Sequence, residues 1–375
     1  MDAIGRDRDA DTLDVPTYIS SADAWTALRG ARRAAGPGET RRATAPRPLL
    51  KWAGGKRQLL ATLAHYYPAE FSRYVEPFVG SGAVFFHLSS TGALEGRGVH
   101  LSDINPDLIG CYLALRDRPE AVIAELAVLQ RDHRAGGETF YYEVRDLRFN
   151  PRRATLMARA GHAARAAADY PADLAAMLIF LNRTGFNGLF RLNRHGAYNV
   201  PAGRYSDPRI CDPEHLREVS ATFRRRNVTI AYQPFDETLA AAGAGDFVYC
   251  DPPYAPLTRT SSFASYTADG FTTADQERLQ QAVVAACRRG ARVVVSNSSA
   301  PEIEEIYGAT EARTAGLRIR RVPARRAINS RASARGAVEE LIISNVKVAS
   351  LDAVRPRMAK ARSKGEGQRS KASGF

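Results

Sequence analysis

The chain has 375 residues, an ordinary 45% of hydrophobic residues and a formal net charge of +13. A soluble protein this basic usually binds a polyanion, most often nucleic acid, although basic terminal segments alone can produce such a charge. No apolar run approaches the roughly 20 residues of a membrane span, and the four cysteines form no CxxC pair, which argues against zinc and against a disulfide framework. We therefore expect a cytoplasmic protein with no membrane segment and no metal.

The pattern of apolar runs predicts one α/β frame between two polar ends. Residues 1–45 and 351–375 are rich in small and charged residues, which predicts a disordered extension and a disordered basic tail. Between these ends, strand-like runs alternate with helical patterns, as is typical of a parallel sheet. The predicted strands are residues 74–79, 99–102, 247–250 and 292–296, followed by a predicted hairpin of residues 317–322 and 338–345.

The middle of the chain departs from this alternation. Helical segments dominate residues 116–227, and Gly, Asn, Arg and aromatic residues cluster at residues 182–205. We interpret residues 116–227 as an insertion into a frame formed by residues 46–115 and 228–350.

The first candidate ligand motif is LLKWAGGKRQLL, residues 49–60. Gly54 and Gly55 expose backbone N–H groups at a predicted helix start, which suits a carboxylate, and Lys56 adds positive charge. The alternative interpretation is a glycine turn beside a core residue, Trp52.

A glycine-rich turn follows in VEPFVGSGAVFFHL, residues 75–88. Gly80 and Gly82 allow a tight turn and a close approach of a ligand to the backbone. Because Phe85 stands where a dinucleotide fingerprint needs Gly or Ala, the motif disfavours NAD and leaves other nucleoside cofactors open. Asp103 ends the next predicted strand, where it can accept hydrogen bonds from ribose hydroxyls or can act as a helix N-cap, a role that Asn105 or Asp107 could also fill.

The motif DFVYCDPPY, residues 246–254, places Asp251 at the carboxyl end of a strand. In open α/β sheets, ligands bind at this edge. Pro252 and Pro253 have fixed φ and no N–H, so the Pro252 carbonyl is held in one direction. The Asp251 carboxylate and this carbonyl together can accept both hydrogens of an NH₂ group, and Tyr254 offers a face for stacking on a ring. The motif therefore predicts a socket for the exocyclic amine of a nucleobase, with a merely rigid loop as the alternative.

The combination and order of these motifs resemble the Dam-type (D12 class) site-specific DNA adenine-N6 methyltransferases. The resemblance spans residues 48–345 and includes the segment LNRTGFNGLFRLNRHGAYNVPAGRY, residues 181–205. It implies a Rossmann-like class I methyltransferase sheet, parallel with a C-terminal antiparallel hairpin, and an inserted, mainly helical target-recognition domain at residues 116–227. Residues 46–115 and 228–350 would then form the catalytic domain that binds S-adenosylmethionine.

The resemblance also implies roles for individual positions. The implied catalytic residues are Asp251, Pro252, Pro253 and Tyr254. The implied cofactor-binding residues are Trp52, Ala53, Gly54, Lys56, Glu76, Phe78, Gly80, Gly82, Asp103, Ile104 and Asp251. The expected DNA-binding residues are Phe186, Asn187, Leu189, Arg191, Asn199, Pro201, Arg204, Tyr205, Arg325, Arg326 and Arg331. Leu192 departs from the pattern, because relatives often have an aromatic residue there, and this leaves the target sequence open.

The arginines permit two interpretations each. Arg191 could contact guanine in the major groove or hold a phosphate. Arg325, Arg326 and Arg331 fall in the predicted hairpin loop, which could follow DNA phosphates or could be a solvated basic loop.

The resemblance implies transfer of a methyl group to the N6 amine of an adenine flipped out of a short duplex site, for which GATC is a candidate. The alternatives are a DNA cytosine-N4 methyltransferase, a DNA-binding relative that has lost catalysis and, more distantly, an NAD enzyme. The expected partner is double-stranded DNA, which would bring a cytoplasmic protein to the nucleoid. A monomeric state and a cognate restriction enzyme in the same system are both compatible with the resemblance.

Overall fold

The computed structural model describes residues 46–255, 271–325 and 337–348. The strands in these ranges form one sheet of seven strands in the order β3-β2-β1-β4-β5-β7-β6. Their bounds are β1 Arg73–Glu76, β2 Gly98–Asp103, β3 Val228–Tyr232, β4 Asp246–Cys250, β5 Arg292–Ser298, β6 Arg318–Arg325 and β7 Ala337–Ser344. The first five strands pair in parallel, and β7 is antiparallel to both β5 and β6. This confirms the predicted sheet and its C-terminal hairpin.

The helices pack on both faces of the sheet and fill the connection between β2 and β3. Their bounds are α1 Leu60–Leu63, α2 Ala83–Ser90, α3 Pro106–Asp117, α4 Pro119–Tyr142, α5 Asn150–Ala160, α6 Ala163–Ala168, α7 Ala172–Thr184, α8 Pro213–Phe223, α9 Phe235–Ala240, α10 Thr273–Arg288, α11 Pro301–Gly308 and α12 Thr310–Thr314. A π-helical segment, Glu143–Phe149, joins α4 to α5. Within the described ranges, no helix is both long and apolar enough to cross a membrane.

The side chains of the central strands alternate between two hydrophobic clusters. Phe247 and Tyr249 of β4 belong to one cluster, whereas Val248 and Cys250 belong to the other. This two-sided burial follows from the pleat, which points successive side chains to opposite faces, and it explains why β4 is apolar at nearly every position. The helices from α4 to α8 pack on the cluster that contains Phe247.

The predicted insertion corresponds to the helices between α3 and β3. Its first boundary, at residues 115 and 116, falls in the last turn of α3, and its second falls next to the start of β3. Because these helices share a hydrophobic cluster with the sheet, the division into two domains stays a prediction. The predicted extension 1–45, the predicted tail 351–375, Arg326 and Arg331 lie outside the described residues.

The strand order reverses between β1 and β4. β1 pairs with β2 on one side and with β4 on the other, in registers that include Val75 opposite His100 and Val75 opposite Val248. Chain connections therefore leave β1 and β4 in opposite directions and open a crevice at their carboxyl ends. Both the glycine-rich turn and the Asp-Pro-Pro-Tyr turn begin at this edge.

Candidate active site

A cavity of about 830 Å³ lies at the carboxyl ends of β1, β2 and β4. The predicted catalytic and cofactor-binding residues all line this cavity with the exception of Gly82. Gly82 instead precedes α2 with a left-handed φ of 65°, a conformation that glycine adopts without steric cost. The tertiary structure thus brings together motifs from both ends of the described chain.

Asp103 is the last residue of β2 and presents a carboxylate to the cavity. The Gly80 N–H donates to its Oδ2 at 3.2 Å, and the Asn105 N–H donates to its Oδ1 at 3.0 Å. Burial raises the pKa of Asp103 to about 6, against the opposing effect of the backbone N–H groups. An ionised Asp103 can accept further hydrogen bonds, as a pair of sugar hydroxyls would require. The N-cap role belongs to Asn105, whose side chain accepts hydrogen bonds from the first turn of α3.

Gly80 forms a flat part of the cavity wall against Trp52. Its φ is +44°, and a Cβ at this position would lie 2.9 Å from Trp52 Cδ1. The Gly80 carbonyl accepts a 2.6 Å hydrogen bond from the buried Tyr112 hydroxyl, which holds the turn in place. The Trp52 ring stacks on Phe190 with 5.6 Å between centroids. Because Phe190 belongs to the inserted region, this stack joins the glycine-rich turn to the segment predicted to contact DNA.

Glu76 ends β1 as a buried acid. Its side chain is only 2% exposed, and the Tyr74 hydroxyl donates to its Oε2 at 2.9 Å. Burial raises the pKa of Glu76 well above its usual value, with a further contribution from the negative charge of Asp251. Burial therefore disfavours the ionised form of Glu76.

Asp251 follows β4 directly, and its side chain is 21% exposed. Its Oδ1 lies 2.7 Å from the Lys56 ammonium and accepts a 3.3 Å hydrogen bond from Ser296 Oγ. The Ser296 hydroxyl is itself 2.8 Å from the buried Tyr249 hydroxyl. Burial raises the pKa of Asp251, and the adjacent Lys56 charge opposes that rise.

The backbone of the Asp-Pro-Pro-Tyr turn is anchored from α10 and β5. Gln276 Nε2 donates a hydrogen bond to the Pro253 carbonyl at 2.9 Å, and Asn297 Nδ2 donates one to Gln276 Oε1 at 2.9 Å. Among the described residues, none donates a hydrogen bond to the Pro252 carbonyl, so this acceptor is available beside Asp251. The turn is therefore anchored at Pro253 and, as far as the described ranges go, its Pro252 carbonyl has no donor.

The Tyr254 ring completes this end of the cavity. Its hydroxyl donates to Glu340 Oε2 at 2.6 Å, and the Lys56 ammonium lies 4.5 Å from its ring centroid. The ring is thus held at its edge by β7 and at one face by the same lysine that pairs with Asp251. A fixed aromatic face next to two hydrogen-bond acceptors can hold a planar ring that bears an amino group.

The predicted DNA-binding residues of the insertion lie on one folded segment. Bridges between Gly185 and Ala202 and between Leu192 and Tyr198 pair its two halves. Phe186 is 47% exposed and Tyr205 is 38% exposed, so large hydrophobic rings face solvent here. This segment carries Phe186, Asn187, Leu189, Arg191, Asn199, Pro201, Arg204 and Tyr205.

Within this segment, neighbouring residues have different surroundings. Arg191 Nε donates to Asn199 Oδ1 at 2.8 Å on the exposed side, and Asn187 has a left-handed φ of 55°. Leu192, the residue that departs from the family pattern, instead lines the cavity. Arg325, predicted to lie in the hairpin loop, is instead the last residue of β6, because this strand extends beyond residue 322, and its contact with DNA phosphates stays a prediction.

The motif analysis missed several residues of the site. Lys51 directly precedes the Trp52 motif, and its ammonium lies 3.2 Å from the Tyr205 hydroxyl. Lys51 lies within the motif of residues 49–60, so the sequence pattern could have identified it. Phe190 likewise lies within the quoted segment of residues 181–205, whereas Ser296 and Glu340 carried no motif signal, because their contacts depend on how distant segments pack.

Known proteins resemble this chain over most of its length. A family model described as D12 class N6 adenine-specific DNA methyltransferase matches residues 52–319. The chain is 36% identical over 299 residues to the Type II methyltransferase M1.LlaDCHI of Lactococcus lactis subsp. cremoris, which covers 80% of this chain and 95% of the relative. It is 37% identical over 310 residues to the Type II methyltransferase M.MjaIII of Methanocaldococcus jannaschii, with 80% and 99% covered.

A third relative has a different name. The DNA adenine methylase of Vibrio cholerae serotype O1 is 34% identical over 299 residues, with 79% of this chain and 95% of the relative covered. The family match and these relatives confirm the resemblance read from the motifs. The chain belongs to the D12 class of N6 adenine-specific DNA methyltransferases.

Proposed function

We propose that the enzyme transfers a methyl group from S-adenosylmethionine to the N6 amine of an adenine extruded from a short duplex DNA site. One observation carries this proposal. A single cavity contains both the Asp103 carboxylate, suited to sugar hydroxyls, and the Asp251–Tyr254 turn, suited to an aromatic amine. A donor and an acceptor can therefore be held side by side, which removes much of the entropic cost of bringing them together.

The residues at the glycine-rich end fit a nucleoside cofactor. Asp103 would accept hydrogen bonds from ribose hydroxyls, and Gly80 with Trp52 would form the wall against which the cofactor lies. Phe78 stacks on Phe235 at 5.3 Å and meets Phe271 edge-on at 5.9 Å, which gives the cavity an aromatic side. S-adenosylmethionine would supply an electrophilic methyl group on its sulfonium. The cavity volume of about 830 Å³ is within the range of small-molecule sites.

The residues at the other end fit the target amine. The Asp251 carboxylate and the Pro252 carbonyl would each accept one N–H of the amine, and Tyr254 would stack on the base. These two hydrogen bonds favour a pyramidal nitrogen whose lone pair points toward the methyl group. Because the amine is inaccessible inside a duplex, the base must leave the stack at a cost of a few kcal/mol, which stacking on Tyr254 would partly offset.

The segment that carries Phe186 and Tyr205 would hold the DNA. Exposed aromatic rings suit contact with bases or sugars, and the net charge of +13 favours a polyanionic partner. Two relatives are named Type II methyltransferases, so a companion restriction enzyme fits the proposal, and the target sequence itself stays open.

Adenine is favoured over cytosine as the target. The matching family model describes N6 adenine specificity, and the turn begins with Asp251, whereas cytosine-N4 enzymes often have Ser there. The intact Asp251–Tyr254 turn and glycine-rich turn also disfavour a relative that has lost catalysis.

Product analysis tests the proposal directly. The purified enzyme is incubated with S-adenosylmethionine carrying an isotopic methyl label and with duplex DNA of random sequence, and the DNA is then digested to nucleosides. We expect the label in N6-methyladenine, and its appearance in N4-methylcytosine would overturn the proposal. In the same assay Asp251→Ala should abolish transfer while DNA binding survives, and retained turnover would remove the proposed role of Asp251.

A further inference from the structure

Lys56 contacts both groups that form the proposed amine socket. Its ammonium lies 2.7 Å from Asp251 Oδ1 and 4.5 Å from the centroid of the Tyr254 ring. The same ammonium donates a 2.6 Å hydrogen bond to the Gly54 carbonyl, and the side chain is only 4% exposed. This lysine is therefore a buried cation in a fixed position rather than a flexible surface charge.

The contacts of Asp251 are unevenly distributed between its two oxygens. Among the described residues, both partners of the carboxylate, the Lys56 ammonium and the Ser296 hydroxyl, lie on Oδ1. A carboxylate accepts hydrogen bonds on both oxygens, so the Oδ2 atom is the one left for an incoming N–H.

We propose that Lys56 is a positioning residue for the reaction: its ion pair with Oδ1 of Asp251 holds the carboxylate and directs Oδ2 to the target amine. This inference rests on the proposed function, since it presupposes that Asp251 receives the amine. It goes beyond the cofactor contact that the resemblance implies for Lys56, because the ammonium is already within ion-pair distance of the catalytic carboxylate.

Burial and two charged neighbours act in opposite directions on the ionisation of Asp251. Burial raises the pKa of Asp251, Lys56 lowers it, and the Glu340 carboxylate raises it. The titratable groups that face or influence Asp251 are Lys56 before α1, Glu76 in β1, Tyr249 and Cys250 in β4, Tyr254 after β4, and Glu340 in β7. Lys56 is the cation among these groups. Without its charge, burial and Glu340 would both favour the protonated acid, which carries an O–H donor and is a weaker acceptor than the carboxylate.

The test distinguishes two roles for Lys56: an ion-pair partner of Asp251, or a residue that contributes only to cofactor binding. Methyl transfer is measured in single turnovers with saturating S-adenosylmethionine and duplex DNA, as a function of pH, for Lys56→Met, Lys56→Arg and the wild type. Arg57→Met is the matched control, because it removes one positive charge at the next position from an exposed side chain. Cofactor affinity is measured separately by calorimetry.

The low-pH side of the plot of single-turnover rate against pH should shift to higher pH by about one unit or more in Lys56→Met. On that side, the rate at a given pH should therefore be about tenfold lower than in the wild type. Lys56→Arg should keep this side of the plot near its wild-type position, and Arg57→Met should leave it unchanged. A second readout is the titration of the Asp251 carboxyl carbon in ¹³C-aspartate-labelled protein, assigned with Asp251→Asn. The midpoint of this titration should lie at higher pH in Lys56→Met than in the wild type. If Lys56→Met does not fold, Lys56→Gln replaces it in both measurements.

Two results have different meanings. If Lys56→Met weakens cofactor binding but leaves the saturated rate profile and the carboxyl titration unchanged, Lys56 serves the cofactor and the inference fails. If Asp251→Ala retains turnover, the proposed role of Asp251 fails, whatever Lys56 does.

Discussion

The Tyr254 hydroxyl donates a 2.6 Å hydrogen bond to the Glu340 carboxylate, a residue 86 positions further along the chain. This bond ties the edge of the aromatic ring to β7, the strand that pairs antiparallel with β5. The ring proposed to stack on the target base is therefore oriented by the C-terminal hairpin and not by its own turn alone.

We expect Tyr254→Phe to lower the rate of methyl transfer about tenfold, because a hydrogen bond to a charged group contributes about 1.5–3 kcal/mol and its loss frees the ring. Tyr254→Ala should lower the rate much further, because base stacking worth about 1–3 kcal/mol is also lost. Single-turnover assays check both variants. Glu340→Gln keeps an acceptor for the hydroxyl and should resemble the wild type more than Tyr254→Phe does. Equal rates for Tyr254→Phe and the wild type would show that the bond has no part in catalysis.

Cofactor affinity should depend on pH through Asp103. The pKa of this carboxyl is raised to about 6 by burial, and its ionised form accepts hydrogen bonds from hydroxyls. Affinity for S-adenosylmethionine should therefore be constant above that pH and fall as the pH drops through it, because the protonated acid must first lose its proton. Calorimetry across this range checks the expectation. Asp103→Asn should bind weakly at every pH and without this dependence, and a pH-dependent Asn variant would assign the effect to another group.

Helix α3 packs too closely on Tyr170 to accept a side chain at Gly110. A Cβ there would lie 2.4 Å from Tyr170 Cγ and 2.6 Å from its Cβ, atoms near the backbone that cannot easily move. In an open helix, Gly→Ala gains up to about 1 kcal/mol, but overpacking costs about 1–3 kcal/mol. We expect Gly110→Ala to lower the free energy of unfolding, as measured by urea denaturation.

Gly308 at the end of α11 is the matched control for this substitution, because no atom of the described residues would lie within 4 Å of a Cβ at this position. Gly308→Ala should leave the free energy of unfolding nearly unchanged. If Gly110→Ala is as stable as the wild type, the close packing of α3 on Tyr170 is not rigid.

Asn199 orients Arg191 on the exposed side of residues 181–205, the segment predicted to contact DNA. The Arg191 Nε donates to Asn199 Oδ1 at 2.8 Å, which orients the guanidinium. If Arg191 contacts a guanine, Arg191→Ala should lose about 1–3 kcal/mol of discrimination at one base position, and Asn199→Ala should lose part of it. Binding to a library of single-base variants of the target checks this. A uniform loss of affinity on all sequences would instead assign Arg191 to a phosphate.

The predicted strands include the four central parallel strands and the C-terminal hairpin, but not β3. β1, β2, β4 and β5 were predicted as apolar runs, although β1 ends at Glu76 rather than at Val79. β3 was missed, because only Ile230 of its five residues is buried, and one buried side chain in a short strand carries little hydrophobic pattern.

The local motifs by themselves indicated the family, and they predicted the site residues and the place of the site at the ends of strands. Their chemistry is local: prolines fix the backbone after Asp251, and glycines at positions 80 and 82 permit positive φ. Only the tertiary structure decided that Lys56 pairs with Asp251, that Glu340 holds Tyr254 and that Phe190 stacks on Trp52. Each of these contacts joins segments far apart in the chain, and the packing of the sheet and the inserted helices, not any local pattern, determines which segments meet.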